Sequence, residues 1–124
     1  MRILLVDNEE MVLKTIKKRL NEDGYIVTTS LNGWDAFRMI EEETFDLIIS
    51  DVAMPFFSAF ELLNYLKNAL KKVIPVILIS ALDQKEIMFA ACKLGVDDFI
   101  TRPIYLDELS IKVRNHFKPD FTPF

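Results

Sequence analysis

The chain has 124 residues, one domain's worth, and 51% of them are hydrophobic, enough for a real core. A formal net charge of -4 gives no broad electrostatic footprint for nucleic acid, and the single cysteine, Cys92, cannot form an intrachain disulfide, which suits a reducing compartment. No window is long and apolar enough to span a bilayer, and the chain opens directly on a strand pattern with no signal peptide in view, so the expectation is a soluble cytoplasmic domain.

Short apolar runs alternate with amphipathic stretches. "ILLV" (3–6) reads as a first strand, too short for a helix. Val12, Leu13, Ile16 and Leu20 then form the inward stripe of a helix, with Lys14, Lys17, Lys18 and Asn21 outward and Gly24 as a left-handed stop. "YIVT" (25–28) is the second strand, and "NGWDAFRMI" starts a second helix at Asn32, with Asp35 three residues on. "LIIS" (47–50) barely alternates, as expected of a strand covered on both faces. "SAFELLNYL" places Ser58 three residues before Glu61, a capping box. Pro75 stands just before a fourth strand, "VILIS" (76–80), where its missing N–H does no harm. "DQKEIMFAACKLG" is a fourth helix closed by Gly95, "DFIT" (98–101) a fifth strand, and "YLDELSIKVRNHF" the last helix. Trp34, Phe37 and Phe45 read as packing residues, and His116, in the last helical turn, suits the helix dipole and has no partner residue that would make it a metal ligand. Residues 1–118 form the domain, and 119–124 are a tail or the start of a linker.

Five strand–helix units with short connections predict a parallel sheet with helices on both faces. Ligands of such sheets bind at the carboxyl ends of the strands. The first strand ends on Asp7 and Asn8, the third on Asp51, the fourth on Ser80 and the fifth on Arg102. Asp7 and Asp51 meet only if strands one and three are neighbours, which gives the order 2-1-3-4-5. Crowded carboxylates repel unless a cation lies between them. An all-oxygen cluster favours a hard ion, with Mg2+ as the best fit and Mn2+ as an alternative. A hydroxyl and a fixed positive charge suit a phosphoryl group. Taken singly, Asp7 or Asn8 also reads as a helix N-cap, Ser80 as a strand end, Arg102 as a surface charge and Phe99 as a core aromatic. The constellation carries the functional reading.

The blocks "ILLVDNEE", "DGYIVTTSLNGWDAF", "FDLIISDVAMP", "FELLNYLK", "PVILISA" and "KLGVDDFITRPI" resemble, in this order and spacing, the receiver domain of two-component response regulators of the chemotaxis-regulator type. The resemblance runs from Arg2 to about Phe117. It implies a flavodoxin-like (βα)5 three-layer sandwich and a phosphoryl group accepted from a sensor histidine kinase or phosphotransfer protein. It makes Asp51 the phospho-acceptor and assigns Asp7, Asn8, Asp51 and the Ala53 backbone carbonyl to a weakly bound Mg2+. Ser80, Ala81 and Arg102 would contact the phosphoryl group, Ser80 and Phe99 would switch together, and the bond to Pro103 would be cis. The domain would not be a conventional enzyme, although Mg2+-dependent self-phosphorylation from a phosphodonor and slow autodephosphorylation are implied.

The sequence departs from the family pattern around one pocket. Asn8 stands where an acid is usual, Arg102 where a lysine is usual, and Phe56-Phe57-Ser58-Ala59 where the loop usually reads Gly, apolar, Asp, Gly. Tyr105 takes a position where a capping acid is frequent. An amide ligates Mg2+ without charge, so metal affinity should fall, with Glu9 or Glu10 compensating in part. Arg102 could pair with Asp51. The alternative to a working receiver is therefore a phosphorylation-independent pseudo-receiver acting as a protein-interaction module. A flavin carrier on this fold is disfavoured because the first loop lacks a Ser/Thr/Gly-rich phosphate cradle. Ile87, Ala91 and Leu94 define the inward line of the fourth helix and place Phe89 outward. The implied interaction face comprises Phe89, Phe56 and Phe57, with a homodimer through helix four, strand five and helix five. No membrane contact and no direct nucleic-acid binding are expected.

Overall fold

The structure, a computed structural model, describes residues 1–52, 58–81 and 85–117, apart from the side chains of Ile87 and Met88. Strands β1 (Arg2–Val6), β2 (Ile26–Ser30), β3 (Leu47–Asp51), β4 (Val76–Ser80) and β5 (Asp98–Thr101) alternate with helices α1 (Glu10–Glu22), α2 (Gly33–Glu42), α3 (Ala59–Asn64), α4 (Lys85–Lys93) and α5 (Leu106–Phe117). The sheet has the order β2-β1-β3-β4-β5 and every pairing is parallel. This is the flavodoxin-like order predicted from the need to bring Asp7 and Asp51 together.

Alternation along the buried strands builds two cores. Ile3, Leu5, Leu47, Ile49, Ile77 and Ile79 pack with Leu13, Ile16 and Leu20 of α1 and Leu109 and Val113 of α5. Leu4, Val6, Ile48, Val76 and Leu78 pack with Ala36 and Ile40 of α2, Leu62 and Leu63 of α3 and Ala91 of α4. Each fully buried Leu or Ile contributes about 1.5–3 kcal/mol relative to exposure. Both faces of the sheet must be covered, so its middle strands read as continuous apolar runs.

The helix ends follow the local signals. Asn32 accepts the Asp35 N–H through its side chain at 2.9 Å, and Ser58 accepts that of Glu61 at 3.4 Å. At the end of α1, the Tyr25 N–H reaches the Leu20 carbonyl and the Gly24 N–H that of Asn21, with Gly24 at φ 99°. These two bonds make a Schellman turn. Tyr25 therefore belongs to the helix stop, and β2 runs from Ile26 to Ser30 instead of the expected 25–28. The third helix also differs: after Asn64 it widens into a π-helical turn over Tyr65–Ala69, with the Leu70 N–H donating to the Tyr65 carbonyl. Phe45 is buried and Phe37 packs at the core margin against Tyr65, but Trp34 is largely exposed, contrary to its reading as a packing residue. The expected start of the fourth helix at Asp83 lies outside the described residues.

α5 is tied to the neighbouring strand. Lys112 Nζ donates to Asp98 Oδ1 at 3.0 Å and to the Phe99 carbonyl at 3.2 Å, and His116 Nε2 lies 3.9 Å from Asp98 Oδ2.

Candidate functional site

Three backbone bonds carry the parallel ladder past the strand ends and fix the polar residues that follow. The Asp7 N–H donates to the Ser30 carbonyl at 3.1 Å, Val52 to Ile79 at 2.9 Å and Arg102 to Ser80 at 2.8 Å. Because Val6 is registered with Ser50, Asp7 and Asp51 emerge side by side from adjacent strands. Asp51 is the last residue of β3 and is registered with Ile79; Ser80 is the next residue on β4 and pairs with Thr101.

The two acids share one cation. Arg102 Nη2 donates to Asp7 Oδ2 at 2.8 Å and to Asp51 Oδ2 at 3.2 Å. Asp7 is wholly buried, and its other oxygen, Oδ1, accepts the Glu9 N–H at 2.9 Å at the entry to α1. Asp7 thus shapes the turn before α1 without capping the helix itself, whose N-cap is Glu9. Burial of two carboxylates is costly unless they are paired and hydrogen-bonded. Burial of the Arg102 guanidinium acts to lower its pKa, but the hydrogen bond and charge of Asp7, followed by those of Asp51, outweigh it, and the net shift is upward. Among the described residues no buried side-chain polar atom is left without a hydrogen-bond partner.

The remaining predicted residues distribute as follows. Ser80 is fully buried at the end of β4, Asn8 is exposed beside Asp7, and Ala81 is half-buried. The Arg102–Pro103 bond is cis. Phe99 is 39% exposed and, with Phe89, Cys92 and Lys85, lines an apolar cavity of about 290 Å³ between β5 and α4. Ala53, Phe56 and Phe57 lie outside the described residues. Tyr105 is exposed just before α5.

Three features were missed by sequence reasoning. Asp7 is a partner of Arg102 alongside the expected Asp51. Ser50, buried next to Asp51, donates its hydroxyl to the Asp51 carbonyl at 2.9 Å. A groove of about 440 Å³ opens beside Arg102, lined by Met11, Val12, Thr15, Ile16, Ile104 and Leu106 among others. Its sequence signal was Met11, an apolar residue outside the inward stripe of α1.

Buried acids, a buried hydroxyl and a guanidinium at the carboxyl edge of a 2-1-3-4-5 sheet narrow the family, and comparison decides it. A family model described as "Response regulator receiver domain" matches residues 3–114. The chain belongs to that family. The receiver domain is 31% identical over 119 residues to the transcriptional regulatory protein CrdR of Helicobacter pylori, covering 96% of this chain and 56% of that protein. It is 33% identical over 124 residues to an uncharacterized 14.6 kDa protein encoded in the sodA1 3' region of Leptolyngbya boryana, covering 97% of this chain and 95% of that one. Among solved structures, the receiver domain of the Francisella response regulator 1452 superposes with a TM-score of 0.85 at 32% identity, over 94% of this chain and 95% of that one. The receiver spans about half the length of CrdR and of other curated transcriptional regulators that it matches. Receiver domains of this family act in two-component signalling with histidine kinases or phosphotransfer proteins and are not conventional enzymes. No helix among the described residues is long and apolar enough to cross a membrane.

Proposed function

We propose that this receiver accepts a phosphoryl group on the Asp51 carboxylate from the phosphohistidine of a sensor kinase or phosphotransfer protein. One observation carries the reading: Asp7 and Asp51, both buried, converge at the carboxyl edge of the sheet on a single cation. A carboxylate oxygen of Asp51 attacks phosphorus, the P–N bond to the donor imidazole breaks, and an aspartyl phosphate forms. Water attacks the same phosphorus, the P–O bond to Asp51 breaks, and inorganic phosphate leaves as the carboxylate is restored. Arg102 supplies positive charge at the reacting edge, and its planar fork suits phosphoryl oxygens.

The donor set fits a hard divalent ion, since the converging side chains of Asp7 and Asp51 offer carboxylate oxygens, the neighbouring Asn8 adds an amide, and neither imidazole nor thiolate is among them. Asp7, Asn8, Asp51 and the Ala53 carbonyl would hold Mg2+, with Mn2+ as a substitute. Such an ion, when bound, neutralises charge on the transferring phosphoryl oxygens. Asn8 brings no charge, which favours weak binding.

Ser80 and Phe99 are the switching pair of this reading. Ser80 is buried beside the acceptor strand, and Phe99 has its ring at the surface next to Phe89. The face formed by α4, β5 and α5 is then the output surface, and a homodimer across it would cover both aromatics. The domain acts without contacting nucleic acid itself, in keeping with its net charge of -4.

Intact mass after incubation with acetyl phosphate and Mg2+ tests the reading. The expected result is the gain of one phosphoryl group, abolished by Asp51→Asn. Absence of any gain at saturating Mg2+ would overturn it in favour of a phosphorylation-independent interaction module.

A further inference from the structure

We infer that Arg102 is a built-in competitor of the divalent ion, so that metal enters the pocket only by taking Asp7 or Asp51 from its guanidinium. The inference rests on the reading of these two acids as the metal-holding pair.

Both bonds come from the same nitrogen. Nη2 spans Asp7 Oδ2 and Asp51 Oδ2 at 2.8 and 3.2 Å, so its two N–H groups address one carboxylate each. A dication drawn to the same two acids cannot approach both without breaking at least one of these charge-assisted bonds, which are stronger than neutral ones. The charge balance points the same way. Two carboxylates and one guanidinium leave a single net negative charge, and Asn8, at the third position, adds none. Burial sharpens the competition, because screening by water is weakest around Asp7, which is wholly inaccessible. Arg102 itself is 27% exposed in its side chain, so it has a way out: the guanidinium can swing toward solvent and the adjoining groove when an ion takes its place. Guanidinium is also less strongly hydrated than ammonium, and its planar fork holds its geometry, so release from two acids costs it more than it would a lysine.

The test compares the wild-type chain with Arg102→Gln. Mn2+ affinity is measured by water-proton relaxation, and thermal stability is followed in EDTA and at saturating Mn2+. Arg102→Gln should bind Mn2+ at least about tenfold more tightly. It should melt below wild type in EDTA, and the difference should close at saturating Mn2+, where the ion replaces the guanidinium. Equal or weaker Mn2+ binding by Arg102→Gln, or no binding by either protein, overturns the inference. If Arg102→Gln does not fold by circular dichroism, Arg102→Lys serves in the same comparison: tighter binding than wild type supports the competition and equal or weaker binding overturns it. The acetyl phosphate assay on the same samples separates the two readings. Tighter Mn2+ binding by Arg102→Gln, together with no phosphoryl gain by the wild-type chain at saturating Mn2+, removes Asp51 as acceptor and leaves the competition by Arg102 standing.

Discussion

Asp7 Oδ2 and Arg102 Nη2 lie 2.8 Å apart although 95 residues separate them in the chain. The contact closes the pocket between the first strand and the last, and it neutralises the most deeply buried carboxylate among the described residues. Asp7→Ala should therefore destabilise the fold by about 2 kcal/mol, below the 3–5 typical of fully buried pairs because Arg102 is partly solvated. Asp7→Asn, which can still accept the Glu9 N–H, should cost about half as much. Urea unfolding without divalent ions measures both.

In the proposed metal site, Asn8 and Arg102 would weaken ion binding by different routes, one by omitting charge and the other by competing for the acids. Asn8→Asp combined with Arg102→Lys should strengthen Mg2+ binding by at least about a hundredfold, with each change contributing about tenfold. Calorimetric titration of the two single variants and the double gives the result. No gain in the double would mean that the native pocket is rebuilt for another purpose, not weakened.

Two helix starts carry side-chain caps of unequal quality. The Asn32 cap is short at 2.9 Å and the Ser58 cap is long at 3.4 Å. Asn32→Ala should cost about 1 kcal/mol and Ser58→Ala about half that. A reversed order in urea midpoints would show that the Ser58 cap is the stronger of the two in solution.

Phe89 is 74% exposed on α4 beside Phe99. Phe89→Asp should leave stability within about 0.5 kcal/mol, as surface changes do, and weaken any dimer that light scattering detects after phosphorylation. Wild-type protein that is monomeric in every phosphorylation state removes the dimer from the account.

Much of this was legible in the sequence because it rests on short-range rules. The inward line Leu13, Ile16, Leu20 is a helical period, and the buried runs at 47–50 and 76–80 are too short and too apolar to be anything but covered strands. Even the strand order followed, because two acids at strand ends constrain which strands are neighbours. What escaped was set by geometry that no local pattern encodes. The Schellman bonds claimed Tyr25 for the helix stop and shifted β2, an edge strand whose pattern is weak because it is partly solvated. The π-helical turn after Asn64 depends on backbone bonds that span five residues, such as Leu70 N–H to the Tyr65 carbonyl. The reach of Arg102 to Asp7 as well as Asp51 depends on where the chain leaves β5, which spacing alone does not give.

The ammonium of Lys112 holds the Phe99 carbonyl as well as Asp98. The main chain of Phe99 is thereby moored to a helix on one side and to the ladder with Leu78 on the other. Its softest remaining coordinate is the torsion about its own Cα–Cβ bond. Any message passing through this residue is then written in the direction of a ring, while the strand beneath it keeps its course.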